Sequence, residues 1–572
     1  MRLKILKNLI ILGTALLIIC LWYLQCVENE RYKILSQNNR IRIVPLVAPR
    51  GNIYDRNMNL LAGSRLAFDC AIIPQEFDSE SGQLGALCLL LGEPLEAIRD
   101  IINKNTIAPF APLTLKKDIG KETAIKISEK IVDLPGVIIH TYPARFYPHA
   151  NACAHVTGYV GKINEDELSV LRDYGYKMRD VVGRGGLELY YDDYLKGESG
   201  GRQTEVDSRG RELRSLGIKE PEKGLDIMTT IDIDLQEYAS SLLEGLRGSI
   251  IVLESETGQI LSMVSKPDYD PNIFIYPDNS LQVKRLLDRK DYPFVNRGIS
   301  GLYPPGSVFK VVTATAALEL GKIGDDERLN CNGYYMIGNR RFNCWRKKGH
   351  GSQKITEAIR NSCNVFFYQL GLKAGPDALT DFAERYQLNL PTNIDLPYEK
   401  SGVVPSGSWK RRFRKEAWYK GDTLNFAIGQ GYLSLTPIGI LKVYNTIAQN
   451  GYLITPIVVK NIGNVDVYNV EKSRINVTSN TFAAIKRGVG MAVEDENGTA
   501  HRAYVGGVDV AGKTGTAQTG AASTHAWFAG FAPNDKPRIA IVIFVEHGGK
   551  GGSIPCEIAS KIFTKLKELE YL

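Results

Sequence analysis

Ser307, Lys310, Ser362, Asn364 and Lys513 are the residues of this 572-residue chain whose types and spacing could do chemistry together. They fall in three motifs: Ser307-Val308-Phe309-Lys310, Ser362-Cys363-Asn364 and Lys513-Thr514-Gly515. In that order the motifs describe acyl transfer through a serine, with a lysine as its base. Ser307 is the only serine with a lysine three residues on, whereas Ser-x-Asn recurs at Ser36-Gln37-Asn38. Order and context carry the reading, not any one triplet.

Tyr303-Pro304-Pro305-Gly306 cannot propagate a helix, while Val308 to Leu320 is helix-compatible up to Gly321. Ser307 is therefore expected at or beside a helix N-terminus, where free N–H groups and the positive dipole end meet a developing oxyanion. Lys310 lies about one turn on, within reach of the hydroxyl. It acts as a base only when neutral, which near pH 7 requires its pKa to fall by about three, roughly 4 kcal/mol. Desolvation and a second cation both push that way, and Lys513 is the obvious second cation. Gly515 would let a substrate backbone approach, and Thr514 and Thr516 could bind a carboxylate beside Lys513. Ser362 would pass a proton and Asn364 would bind an amide. Taken singly, Ser307 reads as a capping serine and Lys513-Thr514-Gly515 as a turn; together these bland readings lose ground.

Length implies two or three domains, and 44% apolar with 23% charged residues is ordinary globular usage. A net charge of +7, with no basic stripe interleaved with aromatics, sets a nucleic-acid partner aside. Leu9 to Leu24 is uncharged and nearly all apolar, so residues 9–27 are expected to cross a bilayer. Arg2, Lys4 and Lys7 precede it, which leaves residues 1–8 as a short cytoplasmic tail and everything after Val27 outside. Gln25-Cys26-Val27-Glu28-Asn29 offers no small-x-small cleavage site, and neither Cys20 nor Cys26 follows the small residue of a lipoprotein site. The expectation is an uncleaved signal anchor, with no second span.

Residues 95–102 and 122–131 have helical apolar spacing, and Gly136 to His140 is strand-like. Glu198-Ser199-Gly200-Gly201 reads as a turn, and the charged, Pro221-containing stretch Lys219–Gly224 as a boundary. Residues 28–220 thus form one region and 221–572 another. In the second, Leu235, Ala239, Leu242, Leu243 and Leu246 make a helical stripe. Ser249–Leu253 and Gln259–Val264 read as a hairpin, Ala526–Ala532 and Ile539–Val545 as strands, and Ile554 to Leu566 as a closing amphipathic helix. Strands from both ends with helices between them predict an α+β layered fold, an antiparallel sheet covered by helices.

The three motifs resemble those of the serine penicillin-recognising enzymes, and the chain as a whole resembles the class B penicillin-binding proteins, nearest their elongation-type (penicillin-binding protein 2) branch. Arg50-Gly51-Asn52-Ile53-Tyr54-Asp55-Arg56-Asn57 and Gly183-Arg184-Gly185-Gly186-Leu187-Glu188 look like N-terminal pedestal motifs; Asn296-Arg297 and His525-Ala526-Trp527-Phe528 match too. The resemblance implies a penicillin-binding/transpeptidase fold behind an elongated pedestal with an inserted head, and a D,D-transpeptidase cross-linking peptidoglycan stem peptides; the N-terminal region carries no recognisable motif for a second, glycan-polymerising activity, so a monofunctional enzyme is expected. It assigns Ser307 as nucleophile, Lys310 as general base and Ser362 with Asn364 as second motif. Lys513, Thr514 and Thr516 would bind the substrate carboxylate, with the N–H groups of Ser307 and Thr516 as oxyanion hole. It also implies β-lactam inhibition, a SEDS-type (RodA-like) glycan polymerase and the elongation complex as partners, and an inner-membrane protein with its catalytic domain in the periplasm.

Nine cysteines include Cys331, Cys344 and Cys363, with His350 between the last two. These residue types suit a closed tetrahedral zinc site, although Cys-x12-Cys-x5-His-x12-Cys fits no short zinc-finger template. Some members of the resembled family carry a metal beside the second motif, and Cys344, His350 and Cys363 resemble its ligands. A Cys331–Cys344 disulfide and three inert thiols are the alternatives. Arg340, Arg341, Arg346, Lys347 and Lys348 are close in sequence to balance the thiolates. A metal on Cys363 would pin the backbone that aims Ser362 and Asn364. Cys70, Cys88, Cys153 and Cys556 read as buried thiols, His525 as a structural hydrogen-bonder, and Tyr432 and Trp527 as groove or packing residues.

Rival functions share the site. A D,D-carboxypeptidase would use water as acceptor, a β-lactamase would deacylate fast, and a membrane β-lactam sensor would need a cytoplasmic effector that the residues before Asn8 leave no room for. A division-type transpeptidase is the nearest alternative; the cysteine–histidine set and the 28–220 pattern favour elongation.

Overall fold

A computed structural model of the protein describes residues 2–33, 41–78, 82–106, 108–178, 180–207, 212–275, 279–518 and 523–572. The recurrent triplet Ser36-Gln37-Asn38 lies outside them. The first element is a helix, Arg2–Trp22, continued by a π-helical turn, Tyr23–Val27. Its apolar stretch, Leu3–Val27, spans 25 residues, long enough to cross a membrane. It starts before the uncharged run because Lys4 and Lys7 favour helix and can extend their stems along it.

The chain forms two compact units. The smaller takes in 1–51, 64–144 and 196–224, and the larger 52–63, 145–195 and 225–572. Segments 52–63 and 145–195 thus precede residue 220 in sequence yet share the larger unit's core. Tyr147, Cys153, Val156, Leu187 and Leu195 join the apolar cluster that holds Val308 and Phe309, and Arg145 Nε meets Glu188 at 2.5 Å with both side chains buried.

In the smaller unit, helices Gly82–Leu91, Leu95–Asn105 and Lys121–Glu129 share a core of Leu84, Leu87, Ile98, Ile127 and Val137. A three-stranded antiparallel sheet runs Ile41–Leu46, Gly200–Val206, Glu212–Lys219. Gly200 and Gly201, expected in a turn, instead pair with Leu46 and Pro45. The glycine pair marks a strand start rather than a reversal.

The larger unit is built on a five-stranded antiparallel sheet ordered Ile260–Lys266, Gly248–Glu254, Ile539–Val545, His525–Ala532, Ala511–Ala517. Alternate residues of these strands enter two separate cores. Ile541, Ile543 and Val545 pack with helices Ile233–Leu242 and Ile554–Glu568, while Ala540, Val542 and Phe544 face helix Pro437–Ala448 and belong to the core that also takes in helices Lys310–Glu319 and Asn364–Ala374. Burial on both faces explains the unbroken apolar runs, since neither side meets water. The α+β expectation holds. Ala511–Ala517 is an edge strand, with one side of its backbone unpaired within the sheet.

Candidate active site and thiol cluster

The first motif opens a helix in two stages. Gly306–Phe309 is a 3-10 turn and Lys310–Glu319 continues as α-helix. Three residues per turn put Ser307 and Lys310 on one line, more closely than an α-helix would. Gly306 is obligatory here. Its φ is +58°, and a Cβ would stand 2.7 Å from the Thr516 carbonyl. The same tight seam explains Gly515, whose Cβ would meet the Pro305 carbonyl at 2.8 Å. Gly515 therefore admits the Ser307 turn rather than a substrate backbone, a correction to the expectation.

Thr516 turns its carbonyl toward this seam and accepts from Gln430 Nε2 at 3.5 Å. Within a strand the N–H and C=O of one residue point to the same side, so the Thr516 N–H also faces the Ser307 turn. Thr516 is exposed, and its Oγ1 accepts from Gly551 N–H at 3.1 Å, which leaves the hydroxyl proton to donate.

The second motif is a joint between two helices. After Ile355–Arg360, Ser362 N–H bonds back to Ile359 and Cys363 N–H to Ala358, both at 3.1 Å. This is the Schellman pattern, which places a left-handed residue where glycine is usual. Here it is Ser362, at φ +52°. A strained serine persists where its side chain is needed. Cys363 then caps the helix Asn364–Ala374, its Sγ accepting from Phe366 N–H at 3.4 Å.

Lys310 ties these motifs together. Fully buried, its Nζ donates to the Ser362 carbonyl at 2.9 Å and to Asn364 Oδ1 at 2.7 Å, with Ser362 Oγ at 3.4 Å. A neutral amine has two hydrogens and both are thus placed, which leaves the lone pair for a hydroxyl proton. Among the described residues no hydrogen bond joins Lys310 to Ser307; such contacts often tighten only when substrate binds. Burial lowers the Lys310 pKa to about 8, against an upward pull from the neighbouring Cys363 and Cys344 sulfurs. The repulsion expected to neutralise Lys310 acts on the other partner. Lys513, equally buried, is held well below its ordinary value by burial and then by Lys310. Lys513 Nζ donates to the Thr514 carbonyl at 3.3 Å.

Four residues close a second cluster directly behind the joint. Donor atoms of Cys331, Cys344, His350 and Cys363 all lie within 4.8 Å of one another. His350 Nδ1 is 3.5 Å from Cys344 Sγ and 3.7 Å from Cys331 Sγ, and Cys344 Sγ is 4.0 Å from Cys363 Sγ. Sulfur and nitrogen ligands at the corners of a zinc tetrahedron sit roughly 3.5–3.8 Å apart, so the donor set fits that ion. All nine cysteines are free thiols. Short strand pairs, Leu329–Cys331 with Gly351–Gln353 and Tyr334–Ile337 with Arg340–Asn343, carry Cys331 and flank Cys344 and His350, an arrangement not legible from the residue pattern. Arg340, Arg341, Arg346, Lys347 and Lys348 are all exposed, so water screens their compensation of the thiolates.

Several positioning residues escaped the sequence reading. Glu546 accepts from Arg297 Nε at 2.9 Å and from Tyr303 O–H at 2.7 Å, fastening the approach to Ser307 onto the sheet. Tyr444 O–H donates to the Val308 carbonyl at 3.0 Å. Trp527 is fully buried and donates to the Pro304 carbonyl at 3.1 Å, so it packs rather than lining a groove. His525 Nδ1 accepts from His547 N–H at 3.1 Å, a structural contact. The chain does carry a basic stripe interleaved with aromatics, contrary to the expectation. Trp409-Lys410-Arg411-Arg412-Phe413-Arg414-Lys415 is one, hidden by the modest net charge of the whole chain. A 320 Å³ cavity lined by His155, Tyr159, Arg184 and Tyr398 includes none of the residues of the three catalytic motifs.

The sequence of residues 248–564 matches the family model of the penicillin-binding protein transpeptidase domain, and 45–229 that of the penicillin-binding protein dimerisation domain. The chain belongs to the class B penicillin-binding proteins. Among its relatives, the peptidoglycan D,D-transpeptidase MrdA of Acinetobacter baumannii is 32% identical, over 98% of this chain and 87% of that one. A penicillin-binding protein (PBP2) solved in complex with MreC from Helicobacter pylori superposes with TM-score 0.82 at 29% identity, covering 93% of this chain and 99% of that one. A chain from a peptidoglycan synthase complex, described as coordinating polymerization and crosslinking, superposes at TM-score 0.77 and 30% identity, over 98% of each chain.

Proposed function

We infer that this penicillin-binding protein is a peptidoglycan D,D-transpeptidase of cell elongation, acting through an acyl-enzyme on Ser307. The observation that carries the reading is the Lys310 amine, buried without a carboxylate and spending its two hydrogens on Ser362 and Asn364. At pKa about 8, about a tenth of the molecules hold it neutral at pH 7.

Lys310 takes the Ser307 proton as the hydroxyl attacks the penultimate D-alanine carbonyl of a donor stem peptide. The N–H groups of Ser307 and Thr516 receive the developing oxyanion, each donor of this kind contributing roughly 3–4 kcal/mol. The bond to terminal D-alanine breaks, its nitrogen takes a proton by way of Ser362, and an ester on Ser307 remains. An amine of a second stem then attacks the ester, forming the cross-link and restoring the hydroxyl. Thr514, Thr516 and Lys513 hold the terminal carboxylate. β-Lactams would form the same ester and leave it slowly.

Cys331, Cys344, His350 and Cys363 would hold a Zn²⁺ ion. When bound it supplies a structural cross-link rather than a reactive group. The fit of the donor set and the place of Cys363 between Ser362 and Asn364 support this. The basic residues before Leu9 favour a cytoplasmic N-terminus and a periplasmic catalytic domain. The solved complexes with MreC and within a peptidoglycan synthase favour elongation-complex partners, and the family resemblance adds a SEDS-type polymerase among them.

Labelling with a fluorescent penicillin, followed by peptide mapping, should place one adduct on Ser307. An adduct that persists in Ser307→Ala would sink the assignment. Product analysis with an acceptor amine should give the cross-linked peptide, where a carboxypeptidase would give only the hydrolysed one.

A further inference from the structure

The stretch Trp409–Lys420 carries Lys410, Arg411, Arg412, Arg414, Lys415 and Lys420 against a single acid, Glu416. Lys410 is set apart, 1% exposed and paired with Asp422 at 2.7 Å and Glu416 at 3.3 Å. Arg411, Arg412, Arg414 and Lys415 are exposed, and among the described residues none pairs with an acid. Most lie on the short helix Gly407–Arg414, whose C-terminal dipole offsets part of their mutual repulsion. By that measure alone they would be an ordinary solvated face.

Their anchorage says otherwise. The Trp409 ring lies 5.5 Å from Tyr432, and the Arg414 guanidinium sits 5.6 Å over the same Tyr432 ring. Two residues before Tyr432, Gln430 donates to the Thr516 carbonyl, and the Gly429 carbonyl accepts the Gly306 N–H at 2.8 Å. At the other end Trp418 lies 6.2 Å from Phe426, which stacks at 5.5 Å on Phe309 of the Ser307 turn. Two aromatic contacts therefore tie the segment that carries the guanidiniums to residues that touch the Ser307 turn and the Thr516 carbonyl. Arginine rather than lysine predominates, as suits planar, bidentate recognition of carboxylates.

We propose that Arg411, Arg412 and Arg414 form a docking subsite for free carboxylates on the donor stem peptide upstream of its D-Ala-D-Ala end. The proposal rests on the transpeptidase reading above and assigns the substrate side of that site a charge preference. Uncharged or amidated stems lose the contact while their terminal D-alanines still fit.

The test is protection of Ser307 from fluorescent penicillin by synthetic pentapeptides ending in D-Ala-D-Ala, using the full-length protein in detergent. One peptide keeps its free internal carboxylate and the other carries the amide there. Wild type should need roughly tenfold less of the acidic peptide at low salt. R411Q/R412Q/R414Q should erase that preference while Ser307 still labels, which also shows that the site is folded. The control K121Q/K126Q/K130Q removes as much charge elsewhere and should keep the preference. Full discrimination by the arginine variant, or its loss in the control, overturns the proposal. Loss of binding to phosphatidylglycerol vesicles alone, with peptide preference intact, also overturns it and makes the patch a membrane contact. Failure of wild type to label at Ser307 would instead bring down the transpeptidase reading itself, and this one with it.

Discussion

Lys310 and Lys410 both lose nearly all contact with water in the larger unit, and they end in opposite states. Lys310 is fully buried, meets only neutral oxygens, and its pKa falls to about 8. Lys410 is 1% exposed, but Asp422 and Glu416 reach its ammonium and outweigh desolvation, so its pKa rises. Desolvation pushes downward in both places, more strongly at Lys310. What decides the outcome is whether a carboxylate is within reach: without one the amine becomes a base, and with one it becomes a fixed cation. The catalytic region is thus built by withholding an acid.

The widest separation between the two should come from removing each amine. Lys310→Met should lower Ser307 acylation by a fluorescent penicillin by roughly 10²–10⁴-fold. Its effect on stability should carry the opposite sign from habit. Because the folded pKa, about 8, lies below the unfolded value near 10.4, folding expels a proton between those pH values. Lys310 therefore weakens the fold below pH 8 by about 3 kcal/mol, and that penalty fades as pH rises from 8 to 10.4. Wild type should gain thermal stability over that window relative to the variant. A parallel pH dependence in both would refute the buried-amine account. In wild type the acylation rate should climb with pH and level off above about 8, as the amine loses its proton.

Chelation sharpens the contrast by acting on one region only. Cys363 caps the helix that starts with Asn364, and Asn364 accepts from Lys310. Stripping zinc with a strong chelator should lower melting temperature and acylation together, whereas the contacts of Lys410 touch no thiol. Metal analysis of purified protein finding no zinc would remove that prediction at its root.

How much of this could be seen in the chain follows the same division. The sheet was legible because Ile539–Val545 and Ala526–Ala532 are buried on both faces, and unbroken apolar runs announce that. The motif residues were legible by type and order. The role of Gly515 was not, because the approach that needs it comes from Pro305, 210 positions away. Nor was the assignment of the mutual repulsion to Lys513, which depends on where two ammonium groups end up in depth. Strand Leu60–Ile72 was missed because Gly63-Ser64-Arg65 and Asp69 interrupt its apolar pattern. The basic segment at 409–420 was overlooked for a different reason: net charge averages over 572 residues, and a local excess disappears in it.

The smallest effect belongs to the other lysine. Lys410→Met leaves Asp422 and Glu416 without their cation, but both can turn toward water, since Glu416 is 56% and Asp422 18% exposed in side chain. Exposed partners screen the loss, so the change should lower melting temperature by only about 2–4 °C. Ser307 acylation should stay within about twofold of wild type, because no Lys410 contact reaches the motifs directly. A loss of acylation as large as that in Lys310→Met would mean that the fixed cation and the base belong to one electrostatic unit. The presence or absence of a carboxylate would then no longer separate them.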